Sequence, residues 1–506
     1  MTYLVIERNE KARKRSFITN GTLLDVKKLK KTIGFYLFRT FIRIKNKIMR
    51  LKILHPQVLT LILSFFILGA GSVLAQKVWT LEECVNYALE NNLQIKQSRL
   101  QTEVADINLL QSKLNFAPSA NASSNLNYSW GRNIDPNTNL YSSNQSMNNN
   151  YNLSGRLNLF KGFQNWNSLK KNEIDYKASQ YQSEEMENNI ALTLTGAYLK
   201  ILFNHEMLSV AMQQMEVTKQ QIDRTSKLVD AGTLPKGDLL EIQAQGATEE
   251  SNLVKAENNL ALSYLDLKQI LDLTAETDFE IDRPNIELSE DFEIIPSEQV
   301  YANAIDIMPE IKRGEMNVLS AQRSVSIARG ALYPSLSVNG GIGTNYIDGK
   351  RDSRFENGQI VSGDLIPFWD QIDINTGEYL TLSLSIPIFN AYSARSSVNR
   401  AKVQSISSQF DLQLRKNELR KNIEQKYHDA IAAYKTYNAS KISVQSLTES
   451  FKYTEEKFNI GMVNSIDYSL AKMKLTQAQS ELLRAKYDYI FKTKILDFYM
   501  GIPLTL

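Results

Sequence analysis

One cysteine, Cys84, excludes any disulfide within the chain. Only three histidines are present, and just two, His205 and His428, lie beyond residue 75. Each precedes an acid, Glu206 or Asp429, but a zinc site needs three or four convergent ligands, so no metal is expected. There is no glycine-rich phosphate loop and no nucleophile–base arrangement, so neither an enzyme nor a cofactor is expected. All eleven prolines fall outside residues 163–231 and 391–460. Glycine is nearly absent there too: the first segment holds only Gly196 and the second none. An interior proline costs about 3 kcal/mol in a helix, so these gaps are what long unbroken helices require. About 68 residues at ~1.5 Å each give a rod of about 100 Å.

The hydrophobic stretch Val58–Leu68 is too short to span a bilayer as a helix. It follows Arg50 and Lys52 and leads to the small-residue pattern Val73-Leu74-Ala75. Residues 49–75 therefore read as a signal peptide, cut after Ala75, with an uncleaved membrane anchor as the rival. Residues 1–48 carry 13 Lys/Arg against Glu7, Glu10 and Asp25. They read as an extension from a start called too early, with Met49 as the start; the rival is a basic segment that touches an anionic membrane. Without residues 1–75 the charge falls from +3 to 43 basic against 52 acidic residues, net −9. The basic balance of the full chain is thus no argument for nucleic acid. Cys84 is not at the first mature position, so it is no lipid-anchor cysteine. It shares a helical face with Leu81, Val85, Ala88 and Leu89 and is expected in the core.

The remainder is one unit written twice, at 81–273 and 297–502. A shift of 216 carries Ala88 onto Ala304, Ile95 onto Ile311 and Pro118 onto Pro334. A shift of 229 carries Phe160 onto Phe389, Tyr198 onto Tyr427, Gly232 onto Gly461 and Asp238 onto Asp467. The offset changes once, between the two strands of a unit, which marks a free loop there. The first repeat is placed at 76–290 and the second at 297–506. Each reads as a short helix, strand, loop, strand, very long helix, turn and shorter helix. The first helix is expected over 81–115. Strands are expected at about 118–130, 151–160, 334–346 and 379–388, and long helices at about 161–229 and 391–459.

The strand segments alternate with period two. In the first, Ala120, Ala122, Leu126, Tyr128 and Trp130 alternate with Asn and Ser. The others place Leu153, Leu157 and Leu159, then Leu336, Val338 and Ile342, then Leu380, Leu382 and Leu384 on the apolar face. Pro387 sits where the last run ends. About ten residues per strand suits a tilted membrane-crossing strand. Both long helices end in related turns, at 230–238 and 460–467. Gly232 and Gly461 suit the left-handed position that ends a helix, and Asp238 and Asp467 suit the start of the next. Around them, Thr233, Leu234, Pro235, Met462, Val463 and Asn464 form tips whose apolar members are expected to be exposed, as surfaces that meet a partner often are.

Four strands cannot close a barrel, and lipid forbids open edges, so the chain must oligomerise to span a membrane. A dimer gives eight strands and a trimer twelve; the pattern alone does not choose. The Asn/Ser faces would line the interior and the apolar faces meet lipid, with Tyr128, Trp130, Tyr151 and Tyr346 as an aromatic girdle. The chain here resembles the TolC-like outer-membrane efflux protein family over about residues 79–502. The resemblance rests on the opening run from Trp79 to Asn92, the strand starts Ala117-Pro118-Ser119 and Tyr333-Pro334-Ser335, the strand ends Leu159-Phe160 and Ile388-Phe389, and the Gly-x5-Asp turns. It implies a mainly helical fold with a β-barrel contribution: a homotrimer with a twelve-stranded barrel in the outer membrane and a helical tunnel in the periplasm. It implies an exit duct without cofactor that works in efflux or type I secretion. The turns at Gly232–Pro235 and Gly461–Asn464 would dock a periplasmic adaptor of an inner-membrane pump. Charged residues near the periplasmic end would narrow the entrance; Asp223, Arg224, Asp230, Glu455 and Glu456 are the candidates, and a solvated helix face is their alternative. The competing functions are a secreted coiled-coil scaffold and a stand-alone porin.

Overall fold

The computed structural model describes residues 78–134, 139–143, 145–274, 279–284, 286, 295–356 and 358–506. The expected extension 1–48 and signal peptide 49–75 lie outside the described residues. The first unit runs through β1 (Val78–Trp79), α1 (Leu81–Asn91), α2 (Leu93–Leu114), β2 (Ser119–Ser129), β3 (Arg132–Ile134), β4 (Tyr141–Ser143), β5 (Ser146–Lys161), α3 (Gln164–Asp230), α4 (Lys236–Ile270) and β6 (Glu280–Ile281). The second runs through α5 (Ser297–Ile307), α6 (Pro309–Gly330), β7 (Ser335–Ile347), β8 (Arg351–Glu356), β9 (Gln359–Leu365), α7 (Phe368–Ile374), β10 (Gly377–Ser385), α8 (Ser393–Asn459) and α9 (Ser465–Tyr499). The helices coincide at the two offsets read from the sequence. Helices α3 and α8 each have 67 residues, and α4 and α9 each have 35.

The expected first helix over 81–115 is two helices. Asn92 adopts an extended backbone between them, and its Oδ1 accepts from the amides of Gln94 and Ile95 at 2.9 and 3.2 Å. Its Nδ2 donates to Ile270 O at 2.8 Å, and the Leu93 amide donates to Asp272 Oδ2 at 2.7 Å. The break therefore needs partners from the far end of α4. At the matching point of the second unit Met308 is extended too, because Pro309 disfavours the helical region for the residue before it. Thr80 and Glu83 form a capping box that starts α1.

The four long strands form one antiparallel sheet in the order β10-β7-β5-β2. One chain supplies an open sheet, not a closed barrel, with β2 and β10 as its edges. Two expected strands shift. The second starts at Ser146, since the loop narrows into a ladder that pairs Ser129 with Ser146. The fourth spans Gly377–Ser385 and its pairing stops at Ser385 with Ser335. Pro387 has no N–H to continue that ladder, so Ile386 and Ile388 lie beyond the strand. The polar loops hold the small hairpins β3–β4 and β8–β9 and the helix α7.

Below the sheet the helices keep its order: α2 packs on α3, α3 on α6, and α6 on α8. The strand-to-helix corner is repeated. Gly162 and Phe163 are left-handed (φ 55° and 61°), and so are Ala391 and Tyr392 (φ 49° and 65°). A Cβ on Gly162 would lie 2.1 Å from Gly330 O, so only glycine fits that close approach. The main core sits where β1, β6 and α1 meet α3 and α4. It contains the fully buried Cys84, Ile95, Leu194, Ile201 and Leu267. Tyr198 crosses it, and its hydroxyl donates to Asp282 O at 2.7 Å.

Candidate functional site: the sheet faces and the helical turns

Strand register divides the sheet into two chemically different faces. On one, Leu153 lies across from Ala122 and Ile342, Leu157 from Val338, and Leu382 also from Val338. On the other, Asn125, Asn150 and Asn345 stand side by side, as do Asn127 and Asn148, and Ser129 and Ser146. The two Ser hydroxyls lie 2.8 Å apart. The alternation breaks at one place. A bulge between Asn158 and Phe160 leaves Leu159 unpaired and turns Phe160 onto the face of Leu336. Sequence alternation carries Leu159 on the apolar face; the structure gives that place to Phe160.

The aromatics named as a girdle divide into two groups. The rings of Tyr128 and Trp130 stack at 6.2 Å. Tyr151 and Tyr346 instead flank Phe368 of α7, at 6.3 and 5.1 Å between centroids. Helix α7 is held by Gln371, which the sequence reading missed. Its side-chain Oε1 accepts from the Ile347 amide at 3.0 Å, and its Nε2 donates to Ile347 O at 3.1 Å. One amide side chain thus makes the two ladder bonds of a neighbouring strand where β10 has not yet begun.

Both helical turns end in the same motif. The Gly232 amide donates to Val229 O and the Thr233 amide to Leu228 O, each at 2.9 Å. The Gly461 amide donates to Phe458 O at 3.0 Å and the Met462 amide to Lys457 O at 2.8 Å. Both glycines are left-handed, at φ 73° and 77°, as this helix end requires. Asn464 caps α9 by accepting from the Asp467 amide at 2.8 Å, whereas Pro235 starts α4 with no side-chain cap. Asp238 accepts instead from Ser465 Oγ at 2.8 Å, which joins the two turns.

The apolar tips differ from expectation. Met462 is 69% exposed and Pro235 is exposed, but Leu234 and Val463 are half-buried. Val463 packs on the cluster of Ile242, Phe458 and Tyr468, because the two hairpins close against each other. The exposed apolar groups at the tip include Ile460, Ile466 and Leu240, which the turn motif did not point to.

The charges proposed for an entrance, Asp223, Arg224, Asp230, Glu455 and Glu456, do not form one cluster. Arg224 reaches across to Asn459, with donor–acceptor distances of 2.5 Å to Oδ1 and 3.4 Å to the carbonyl. Asp223 pairs with Lys227 on its own helix at 2.6 Å in the open. Asp230 and Glu456 are exposed. Glu455 is half-buried near Tyr468; burial first, then Glu455 and Glu249, push that phenol up to about 12. Above them lies a buried polar knot that the sequence reading missed. Lys472 Nζ lies 3.2 Å from Glu249 Oε1, and Thr218 bonds to both groups. Its signal was a lysine in the apolar row between Tyr468 and Leu475. The histidines stand apart: His205 bonds to the Tyr264 hydroxyl at 3.0 Å, and His428 lies against the Tyr427 ring.

Residues 84–272 and 300–501 each match the family described as Outer membrane efflux protein. The chain is 23% identical to the outer membrane protein TolC of Vibrio cholerae over 448 residues, 87% of this chain and 95% of that one. It is 21% identical to the alkaline protease secretion protein AprF of Pseudomonas aeruginosa, over 63% of this chain and 62% of that one. The fold matches the CmeC outer membrane channel of Campylobacter jejuni with a TM-score of 0.66 at 19% identity, covering 83% of this chain and 85% of that one. With most of both repeats matched, the chain belongs to the outer membrane efflux protein family, whose members are outer-membrane exit ducts for efflux or secretion.

Proposed function

We propose that three copies of this chain close into one duct, with a twelve-stranded barrel in the outer membrane and a helical tunnel below it. The observation that carries this is the repeat itself. Within the chain β5 pairs with β7 and α3 packs on α6. The repeat counterparts of those partners are β10 with β2, and α8 with α2, which stand at opposite edges of one chain. They can meet only between copies. The faces that would meet are apolar and bare. Leu100, Val104 and Ile107 are exposed on α2, and Val403, Phe410 and Leu414 on α8. Tyr181, the counterpart of Phe410, is half-buried within the chain, with Lys312 over its ring at 5.8 Å. Closure also removes the open edges that lipid would not tolerate.

In this arrangement the apolar sheet face meets lipid and the Asn/Ser face lines the bore. The turns at Gly232–Pro235 and Gly461–Asn464 form the periplasmic end. They dock an adaptor that connects the duct to an inner-membrane pump, and Met462, Ile460 and Ile466 supply the exposed apolar contact. The entrance charges Asp223, Arg224, Asp230, Glu455 and Glu456 surround that opening. The test is the native mass of the protein extracted by detergent from outer membranes. Three chains per particle support the reading. A monomer, or a trimer that survives Leu100→Glu with Phe410→Glu unchanged, sinks it.

A further inference from the structure

We propose that the barrel selects for anions, through Arg156 and Lys161 on the Asn/Ser face of β5. The proposal rests on the reading that this face lines the bore. It deepens that reading by naming a solute class: small organic anions that carry carboxylate, phosphate or sulfate groups.

The argument begins with register. Arg156 lies across from Ser119 on β2 and Asn339 on β7, and Asn339 lies across from Thr381 on β10. Every one of these neighbours is neutral. The bulge at Leu159 shifts the alternation by one, which brings Lys161 opposite Ser335 and onto the same face. Without that bulge Lys161 would point to the apolar side. Both side chains are exposed. Neither makes an ion pair with any described residue, so their charge is not quenched from across the strands. The four long strands contain a single acid, Glu378. It pairs with Ile342, on the apolar face. Among these strands the bore face therefore carries two cations and no anion.

In a closed trimer these become two tiers of three positive charges. Five residues of strand separate the tiers by on the order of 15 Å along the chain. Charges of one sign in a narrow passage with low-dielectric walls raise the local concentration of the opposite ion. The guanidinium of Arg156 also matches carboxylate and phosphate oxygens in pairs, which an ammonium does not. The acids at the turns cannot cancel this field. They lie at the far end of helices about 100 Å long, and the screening length is about 8 Å at physiological salt.

The test is the reversal potential of the reconstituted mature trimer in planar bilayers under a KCl gradient. Arg156→Glu should lower the chloride-to-potassium permeability ratio by about twofold or more. Arg156→Lys should stay near the parent, and Lys161→Gln should fall between. The difference between Arg156→Glu and parent should fade near 1 M salt, where screening shortens to about 3 Å. An Arg156→Glu pore that conducts with the parental ratio at low salt overturns the proposal. A particle that does not contain three chains overturns the duct reading itself, and the proposal with it.

Discussion

Lys472 and Glu249, from opposite repeats, form an ion pair at 3.2 Å with side chains only 4% and 9% exposed. The pair joins α9 to α4, and Thr218 of α3 bonds to both ends. Burial holds the lysine below its ordinary range, and Glu249 opposes that shift. A buried pair is costly to break because the surviving charge is left alone, yet cheap to replace as a whole. Lys472→Met alone should therefore destabilise the helical hairpins by about 3–5 kcal/mol. Lys472→Met with Glu249→Leu should return close to the parent. Thermal melting of the purified protein checks both. Equal melting of the single variant and the parent would show that the pair does not hold the hairpins.

Ala391 is a left-handed alanine at φ 49°, where the first repeat has Gly162 at φ 55°. Alanine in that region costs about 1–2 kcal/mol, and glycine returns part of it as entropy lost from the unfolded chain. Ala391→Gly should then stabilise by about 0.5–1 kcal/mol. The reverse change, Gly162→Ala, should fail to fold normally, since its Cβ would meet Gly330 O at 2.1 Å. A melting comparison in which Ala391→Gly loses stability would refute the account.

Gln371 completes the ladder of β7 at Ile347 with a side chain instead of a strand. Its Nε2 also donates to Ile366 O at 2.9 Å. Gln371→Leu keeps the bulk and removes every one of these bonds. Each backbone group left without a partner costs about 1–3 kcal/mol. Helix α7 should then detach while the four-stranded sheet remains. Amide exchange should rise at Ile347 and across Phe368–Ile374, but not at the Leu382–Val338 ladder. Unchanged exchange at Ile347 would mean that water or another group replaces the amide.

Burial raises the Glu310 carboxyl above its ordinary range, with Glu185 next in effect. Arg415 and Arg313 oppose the shift, while Glu418 adds to it. Arg313 is itself engaged with Glu185 at 2.8 Å. A carboxyl raised in the folded state binds its proton more tightly there than in the unfolded chain. Its stabilising contribution is full below the unfolded value of 4.5 and is lost as pH rises through the folded one. Glu310→Gln should melt higher than the parent at pH 8, and the gap should close by pH 4. A gap that is constant across this range would assign the effect to packing.

The duplication, the long helices and the two sheet faces were legible because they are periodic. Residues at fixed offsets, or at every second position, carry them. What was hidden depends on partners far along the chain. Asn92 sits in an unbroken apolar rhythm, and only Ile270 and Asp272 reveal why the helix stops there. The bulge at Leu159 is invisible because Leu159 and Phe160 are both apolar, so either could continue the face. At the turns the glycines were readable from backbone need alone. Which apolar groups stay bare was not, because the two hairpins cover Val463 and leave Ile460 and Ile466 open.

The turn glycines allow backbone geometry and docking to be separated. Nothing lies within 4 Å of a Cβ built on Gly232 or Gly461, so a larger side chain meets no clash. Only the left-handed backbone resists it, at about 1–2 kcal/mol for an ordinary residue and less for asparagine. Gly232→Val with Gly461→Val should therefore leave the protein folded and its oligomeric state unchanged but change the shape of the tips. Gly232→Asn with Gly461→Asn should keep the shape and add only a small polar group. If the turns dock an adaptor, the valine pair should lose most export in cells and the asparagine pair should keep most of it. Met462→Asp with Ile466→Asp leaves both glycines in place and puts charge on the exposed apolar groups. It should abolish adaptor capture without lowering the melting temperature. Normal export by the valine pair and by the aspartate pair would move the docking surface away from the turns.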